Sequence, residues 1–331
     1  MPQAFPEPEV ACSISPSHLL DLELLYNFTT STYLTTSSRP SIQRLYQSDV
    51  IKEAFKYDFL IHSVLALSAF HLASQQQQNC QSCQASPASK LDRYLHAARA
   101  HYNAALQSLR QNLVNITSEN CHALLPCSAL IFVTSIAQWR NDDVAEHQSS
   151  QSMVSPALGR ALEWINLIRG IRTIVDSAGD WIRTGPMSPI INGKVNEQYE
   201  TGAPEEDIAS RLNGMSAFIS ENFDRGVFGV CDAALELLRK SFAGITIEDP
   251  TLMAFLWPAL VSNEYSKLLE TQNPGALLVL AYYCALLHRI NSVWWMRGWP
   301  AYMIGIVNHN LDSRWRSMIQ WPLELIDIEA M

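Results

Sequence analysis

Apolar residues at helical spacing run through this chain, and they leave little choice of fold class. Leu91, Tyr94, Leu95, Ala98, Tyr102, Leu106, Leu109 and Leu113 recur three and four residues apart. That spacing lines one face of an α-helix for about seven turns. Leu19, Leu22, Leu25 and Tyr26 form a shorter stripe of the same kind, ended by the Thr-rich residues 29–36. Further helices are predicted over 41–56, 59–74, 118–139, 157–178, 205–221, 225–242, 250–270, 274–292 and 296–308. No period-2 alternation is long enough to specify a sheet. The expected fold is all-α, an irregular multi-helix bundle of about ten helices.

Breaks punctuate the pattern where backbone chemistry requires them. Pro40 fixes its own φ and disfavours helix at Arg39. Asp58 is a plausible N-cap for the 59–74 helix, which is apolar on nearly every side and so is predicted to be buried. Gln75 to Ser89 (QQQQNCQSCQASPAS) reads as a low-complexity loop, with Pro87 in a first-turn position after a Ser86 cap. Pro126 is expected to interrupt or bend 118–139. Residues 141–156 read as a polar linker, and 184–203 as a Pro/Gly/Asn-rich connection. Pro204 followed by Glu205, Glu206 and Asp207 is a strong helix start, with acids over the positive end of the macrodipole. The expected organisation is a disordered tail over 1–16, one helical domain over 17–322 and a C-terminal tail over 323–331. In that last stretch apolar and acidic residues alternate, which suits an interaction tail, a terminal strand or a docked arm.

Composition narrows the function classes. Apolar residues make up 48% and charged residues 17%, a globular balance with a large core. Formal net charge is −9, without a basic cluster, so direct nucleic-acid binding by this chain is disfavoured. The start, Met1 to Val10, lacks the basic and apolar parts of a signal peptide. Ala276 to Leu287 reads as the longest apolar stretch and is too short for a membrane span. The sequons at Asn27 and Asn115 therefore lack a secretory context. Cysteines at 12, 80, 83, 121, 127, 231 and 284 are odd in number and scattered, as expected of reduced thiols in the nucleus or cytoplasm.

Motifs for phosphate, dinucleotide, nucleophile-elbow or HExxH chemistry are absent from the sequence. Cys80 and Cys83 have zinc-ligand spacing but no second pair; Cys121, His122 and Cys127 are similarly compact, but Cys121 and Cys127 suit core packing. No metal or other cofactor is expected. His62 and His71 read as core histidines with hydrogen bonds. His288, next to Arg289, either faces a cavity or adds positive charge at a helix C-terminus. The segment 292–303 is the most unusual: Trp294, Trp295, Met296, Trp299, Tyr302 and Met303 fall within it. These side chains either wall a cavity for a flat hydrophobic ligand or fill the core between helices.

Several segments, in order, resemble the regulatory domain of fungal zinc binuclear-cluster transcription factors, sterol-uptake-control branch. They are Asp21–Leu34 (DLELLYNFTTSTYL), Phe59–Ala73 (FLIHSVLALSAFHLA), Asn115–Asn120 (NITSEN), Trp164–Ile171 (WINLIRGI), Trp181–Pro186 (WIRTGP) and His309–Arg316 (HNLDSRWR) through Trp321-Pro322. The resemblance implies a helical domain that senses a small hydrophobic, sterol-like molecule and governs dimerisation, nuclear entry or activation. It also implies a pocket in the C-terminal half, where Trp294, Trp295, Met296, Trp299, Tyr302, Met303 and His288 are the candidate ligand-binding residues. That family's six-cysteine DNA reader finds no match here, which implies either a truncated coding sequence or a stand-alone domain. The expected partners are a small hydrophobic ligand and protein partners or a second copy. Two alternatives stand beside it. One is a terpenoid or polyketide cyclase, isomerase or hydrolase using His288 and His62, and the other is a purely structural interaction subunit.

Overall fold

The computed structural model describes residues 15–80, 88–146, 154–191, 202–245 and 249–327. Every regular element among them is helical. In chain order these are α1 (Pro16–Thr30), α2 (Pro40–Ala54), α3 (Asp58–Cys80), α4 (Ala88–Asn112), α5 (Cys121–Glu146), α6 (Val154–Thr184) and α7 (Ser188–Ile191). They continue with α8 (Glu206–Asn222), α9 (Arg225–Gly244), α10 (Pro250–Leu260), α11 (Asn263–Glu270) and α12 (Pro274–His288). The last are α13 (Trp299–Asn310), α14 (Ser313–Arg316) and α15 (Gln320–Asp327), with 3-10 turns at Thr32–Thr35 and Ser317–Ile319.

Local chemistry sets most boundaries. The Asp224 carboxylate accepts from the Gly226 and Val227 amides and starts α9. Asn273 does the same for Gly275 ahead of Pro274, which fixes the start of α12. Glu206 and Asp207 occupy the first turn of α8, as the sequence implies.

Several segments differ from expectation. The α3 helix runs on through the glutamines to Cys80, because glutamine is a good helix former; Cys83 lies outside the described residues. The α5 helix is continuous through Pro126, which sits little more than a turn from its start and removes only one ladder bond there. Residues 250–270 form two helices, since Val261 is extended and the Ser262 hydroxyl accepts from the Tyr265 amide to begin α11. The final stretch, expected as a tail, strand or arm, is helical to Asp327, with Pro322 in the first turn and Ile326 buried. The expected 141–156 linker is helical at both ends, since α5 runs to Glu146 and α6 starts at Val154; residues 147–153, the 1–14 tail and residues 192–201 lie outside the described residues.

Two apolar cores result. The smaller gathers Ile42, Leu45 and Val50 of α2 with Leu60, Val64 and Leu67 of α3, Leu124 and Ile131 of α5, and Ile174, Ala178 and Ile182 of α6. The larger is built around α12, of which every residue from Gly275 to Leu287 is buried. A helix apolar all round must be covered all round, and α9, α10, α11, α13 and α15 do this. Gly275 lets α9 approach: a Cβ there would stand 3.3 Å from Val227 Cγ1 and 3.4 Å from Cys231 Sγ.

Helices α3 and α6 serve both cores. On α3, Leu65, Ala69 and Phe70 face the larger core; on α6, Trp164, Ile165 and Ile168 do so. This explains why α3 is apolar on nearly every side. Among the described residues one helical window, Cys121–Gln138 of α5, is long and apolar enough to cross a membrane, and 72% of it is buried inside the fold, while Pro274–His288 is too short. Cys121, Cys127, Cys231 and Cys284 are free and buried, and burial pushes the Cys127 and Cys231 thiols up to about 12.

Candidate functional site

The turn that joins α12 to α13 carries the aromatic segment and is held tightly. The Asn291 side-chain oxygen accepts from the Gly298 amide at 2.9 Å, and Gly298 has φ +86°, a left-handed conformation that favours glycine. Adjacent residues then pack on different rings. Trp295 turns inward and stacks on Phe255 of α10, with centroids 5.9 Å apart. Trp294 instead stacks on His71 of α3 at 5.0 Å and packs against both cores. Both indoles reach back to the 3-10 turn: Trp294 Nε1 donates to Thr35 Oγ1 at 3.1 Å, and Trp295 Nε1 donates to the Thr35 carbonyl at 3.4 Å.

Around Trp295 the rings form a continuous group. Phe255 meets Phe132 edge-on at 4.8 Å, and Trp164 contacts Phe132, Phe255, Tyr283 and Trp299 at centroid distances of 5.9, 6.1, 5.8 and 6.2 Å. Tyr302 packs beside Trp299 at 5.7 Å, and Trp257 stacks on Tyr283 at 4.2 Å. Such pairs add about 0.5–1.5 kcal/mol each beyond the area they bury. Arg169 and Arg172 of α6 brace the wall from outside, donating to Ser266 Oγ at 2.9 Å and to the Ala259 carbonyl at 3.2 Å.

Of the residues singled out in the sequence, Trp295, Trp299 and Tyr302 thus meet in one aromatic group. Met296 and Met303 are fully buried in the larger core. Trp294 belongs to a different neighbourhood, and His288 closes α12, where an imidazole complements the negative helix end. Sequence reasoning did not assign Phe132, Trp164, Phe255 or Tyr283 to this site. A readable signal existed in the Phe255 and Trp257 pair within an apolar helix, but Phe132 and Trp164 join only through tertiary packing.

The Trp294 side holds a buried polar network. Asn27 Nδ2 donates to Thr32 Oγ1 and to Ser68 Oγ, both at 2.9 Å, and the Ser68 hydroxyl donates to the Leu24 carbonyl at 2.6 Å. His71 Nδ1 lies 2.9 Å from Thr32 Oγ1, and its Nε2 lies 3.2 Å from Gln75 Nε2. A neutral imidazole fits, with Nδ1–H donating to threonine and Nε2 accepting from the amide. Burial lowers its pKa from 6.5 to about 4. The unfolded chain therefore binds more protons than the folded one between those values, and stability is lost as pH falls through that window. His101 and His122 are also lowered by desolvation and act in the same direction. We expect the urea midpoint to drop from pH 6.5 towards pH 4, and to drop less in His71→Gln. An equal drop in both proteins would remove His71 as a source.

His62, by contrast, is engaged elsewhere. Its Nδ1 lies 2.9 Å from His101 Nδ1, and His101 Nε2 lies 3.1 Å from Asp21 Oδ1, which links α1, α3 and α4. Both His62 and His71 are therefore hydrogen-bonded, as expected of core histidines.

Two further contacts bind the 3-10 turn to the larger core. Ser37 Oγ donates to Asp249 Oδ2 at 2.7 Å, and Arg39 Nε lies 3.3 Å from the same oxygen. Residues 32–39 thus act as a strap from the N-terminal half onto α10 and the tryptophan turn.

The fold and this site define an all-α domain in which an aromatic group in one core is wired to the N-terminal half. Residues 23–174 match the family model described as the fungal specific transcription factor domain. It is similar to a Zn(2)-C6 fungal-type transcription factor of Gibberella zeae, 25% identical over 94% of this chain. It is also similar to the proteins named sterol uptake control protein 2 of Candida albicans and Saccharomyces cerevisiae, at 26% and 24% identity over 85% of this chain in each case. The chain spans 63%, 39% and 29% of the lengths of these three proteins.

Proposed function

We propose that this chain is a ligand-responsive regulatory domain of transcription that takes a small, flat, sterol-like molecule at the aromatic group around Trp164, Phe255, Trp295 and Trp299. The observation that carries this reading is the wiring of Trp294 and Trp295 to Thr35. A ligand seated among these rings displaces Trp295, and Trp295 cannot move without pulling on the strap that joins the two halves. Two relatives named for sterol uptake control support the choice of ligand class. With a net charge of −9, the domain's output runs to protein partners or a second copy rather than directly to a duplex, and it acts in the nucleus.

Purified protein offered a sterol panel should bind with a rise in melting temperature and no chemical turnover. Quenching of tryptophan emission by a fluorescent sterol should disappear in Trp295→Ala while circular dichroism stays helical. A panel that yields no bound mass in native mass spectrometry and no thermal shift would overturn the assignment.

A further inference from the structure

Most polar tips on the aromatic wall have a backbone partner. Trp257 Nε1 donates to the Ala234 carbonyl at 2.8 Å, Tyr283 Oη to the Ala254 carbonyl at 3.1 Å, and Tyr265 Oη to the Ala276 carbonyl at 2.9 Å. Trp164 differs. Its side chain is only 3% exposed, it sits among Phe132, Phe255, Tyr283 and Trp299, and its indole N–H has no hydrogen-bond partner among the described residues. A buried donor without a partner is rare and calls for an explanation. Ser241 Oγ and Trp315 Nε1 share this state, but Trp315 stands in another aromatic group between Phe218 and Phe223.

We propose that the Trp164 indole N–H is the polar anchor of the ligand site, donating one hydrogen bond to a single neutral oxygen on an otherwise apolar, flat molecule. This rests on the ligand-binding reading above. An indole donates and cannot accept, so the ligand atom is an acceptor: a hydroxyl, ketone or ether oxygen. The surrounding groups are rings rather than cations, which disfavours a carboxylate, because an unpaired ion would be costly to bury there. A hydrocarbon of the same shape leaves the donor unmatched.

The test compares cholestanol with cholestane, which differ only in the 3-hydroxyl group. Wild-type protein should bind cholestanol about tenfold more tightly. Trp164→Phe, with its fold checked by circular dichroism, should bind the two equally. Should that variant not fold, the indole ¹⁵N–H resonance of Trp164 in the wild type serves instead. It should shift with cholestanol and stay in place with cholestane. Equal affinities in the wild type, a preference that survives Trp164→Phe, or an unmoved resonance would each overturn the anchor while leaving sterol binding intact. Failure of both compounds to bind would overturn the anchor and the ligand reading together.

Discussion

Replacing Trp257 by alanine should destabilise the fold by about 3–5 kcal/mol, the range for removing a large aromatic from a packed core. Trp257 is fully buried, stacked on Tyr283 and edge-on to Tyr265 at 5.4 Å. Its N–H also satisfies the Ala234 carbonyl, joining α10 to α9. Alanine would leave a cavity and remove the indole hydrogen bond in the same place. Trp257→Phe separates the two effects: it keeps a ring on Tyr283 and loses mainly the hydrogen bond, at a cost of about 1–3 kcal/mol including the space left behind. Urea denaturation followed by far-ultraviolet circular dichroism measures both. A loss below 1 kcal/mol for the alanine variant would show that this ring does not close the core.

The second large effect concerns the strap. Asp249→Asn preserves a capping side chain at the start of α10 but removes the charge that faces Arg39. The carboxylate side chain is 5% exposed and the guanidinium 16%, so the change strands a cation in a poorly solvated site. Breaking such a pair from one side costs about 3–5 kcal/mol, and the residual exposure of Arg39 places this case near the lower end. Arg39→Met combined with Asp249→Asn should recover part of the loss, because the stranded charge is then gone. If the double variant is no more stable than Asp249→Asn alone, the cost lies in the Ser37 hydrogen bond and not in the ion pair.

Much of the fold was legible because helical spacing and capping are local. Leu91 to Leu113, Pro204 with its following acids, and Asn273-Pro274 each announced an element that the structure contains. The family resemblance was legible as well, since its segments keep their order. Boundaries failed where local signals competed with packing. The glutamines after Ser74 suggested low complexity yet extend α3, and Leu323 to Asp327 alternates like a strand yet is helical, because Ile326 packs into the larger core. The candidate site was half legible. The tryptophan cluster at 294–299 stood out by composition, but nothing local says that Trp294 stacks on His71 while Trp295 stacks on Phe255, or that Trp164, more than a hundred residues earlier, joins Trp299. Such contacts arise only when helices distant in sequence meet.

Helix α6 gives this arrangement a mechanical character. It carries Trp164 in one core and Ile182 in the other, and its backbone is unbroken between them. At 1.5 Å per residue the two side chains sit about 27 Å apart on one stiff rod. A rod embedded at both ends pivots instead of bending, so a small tilt imposed at Trp164 is delivered with opposite sign near Ile182 and the adjoining α7. The domain thereby holds a lever as well as a strap, with one end among the rings of the larger core and the other in the smaller core beside α7.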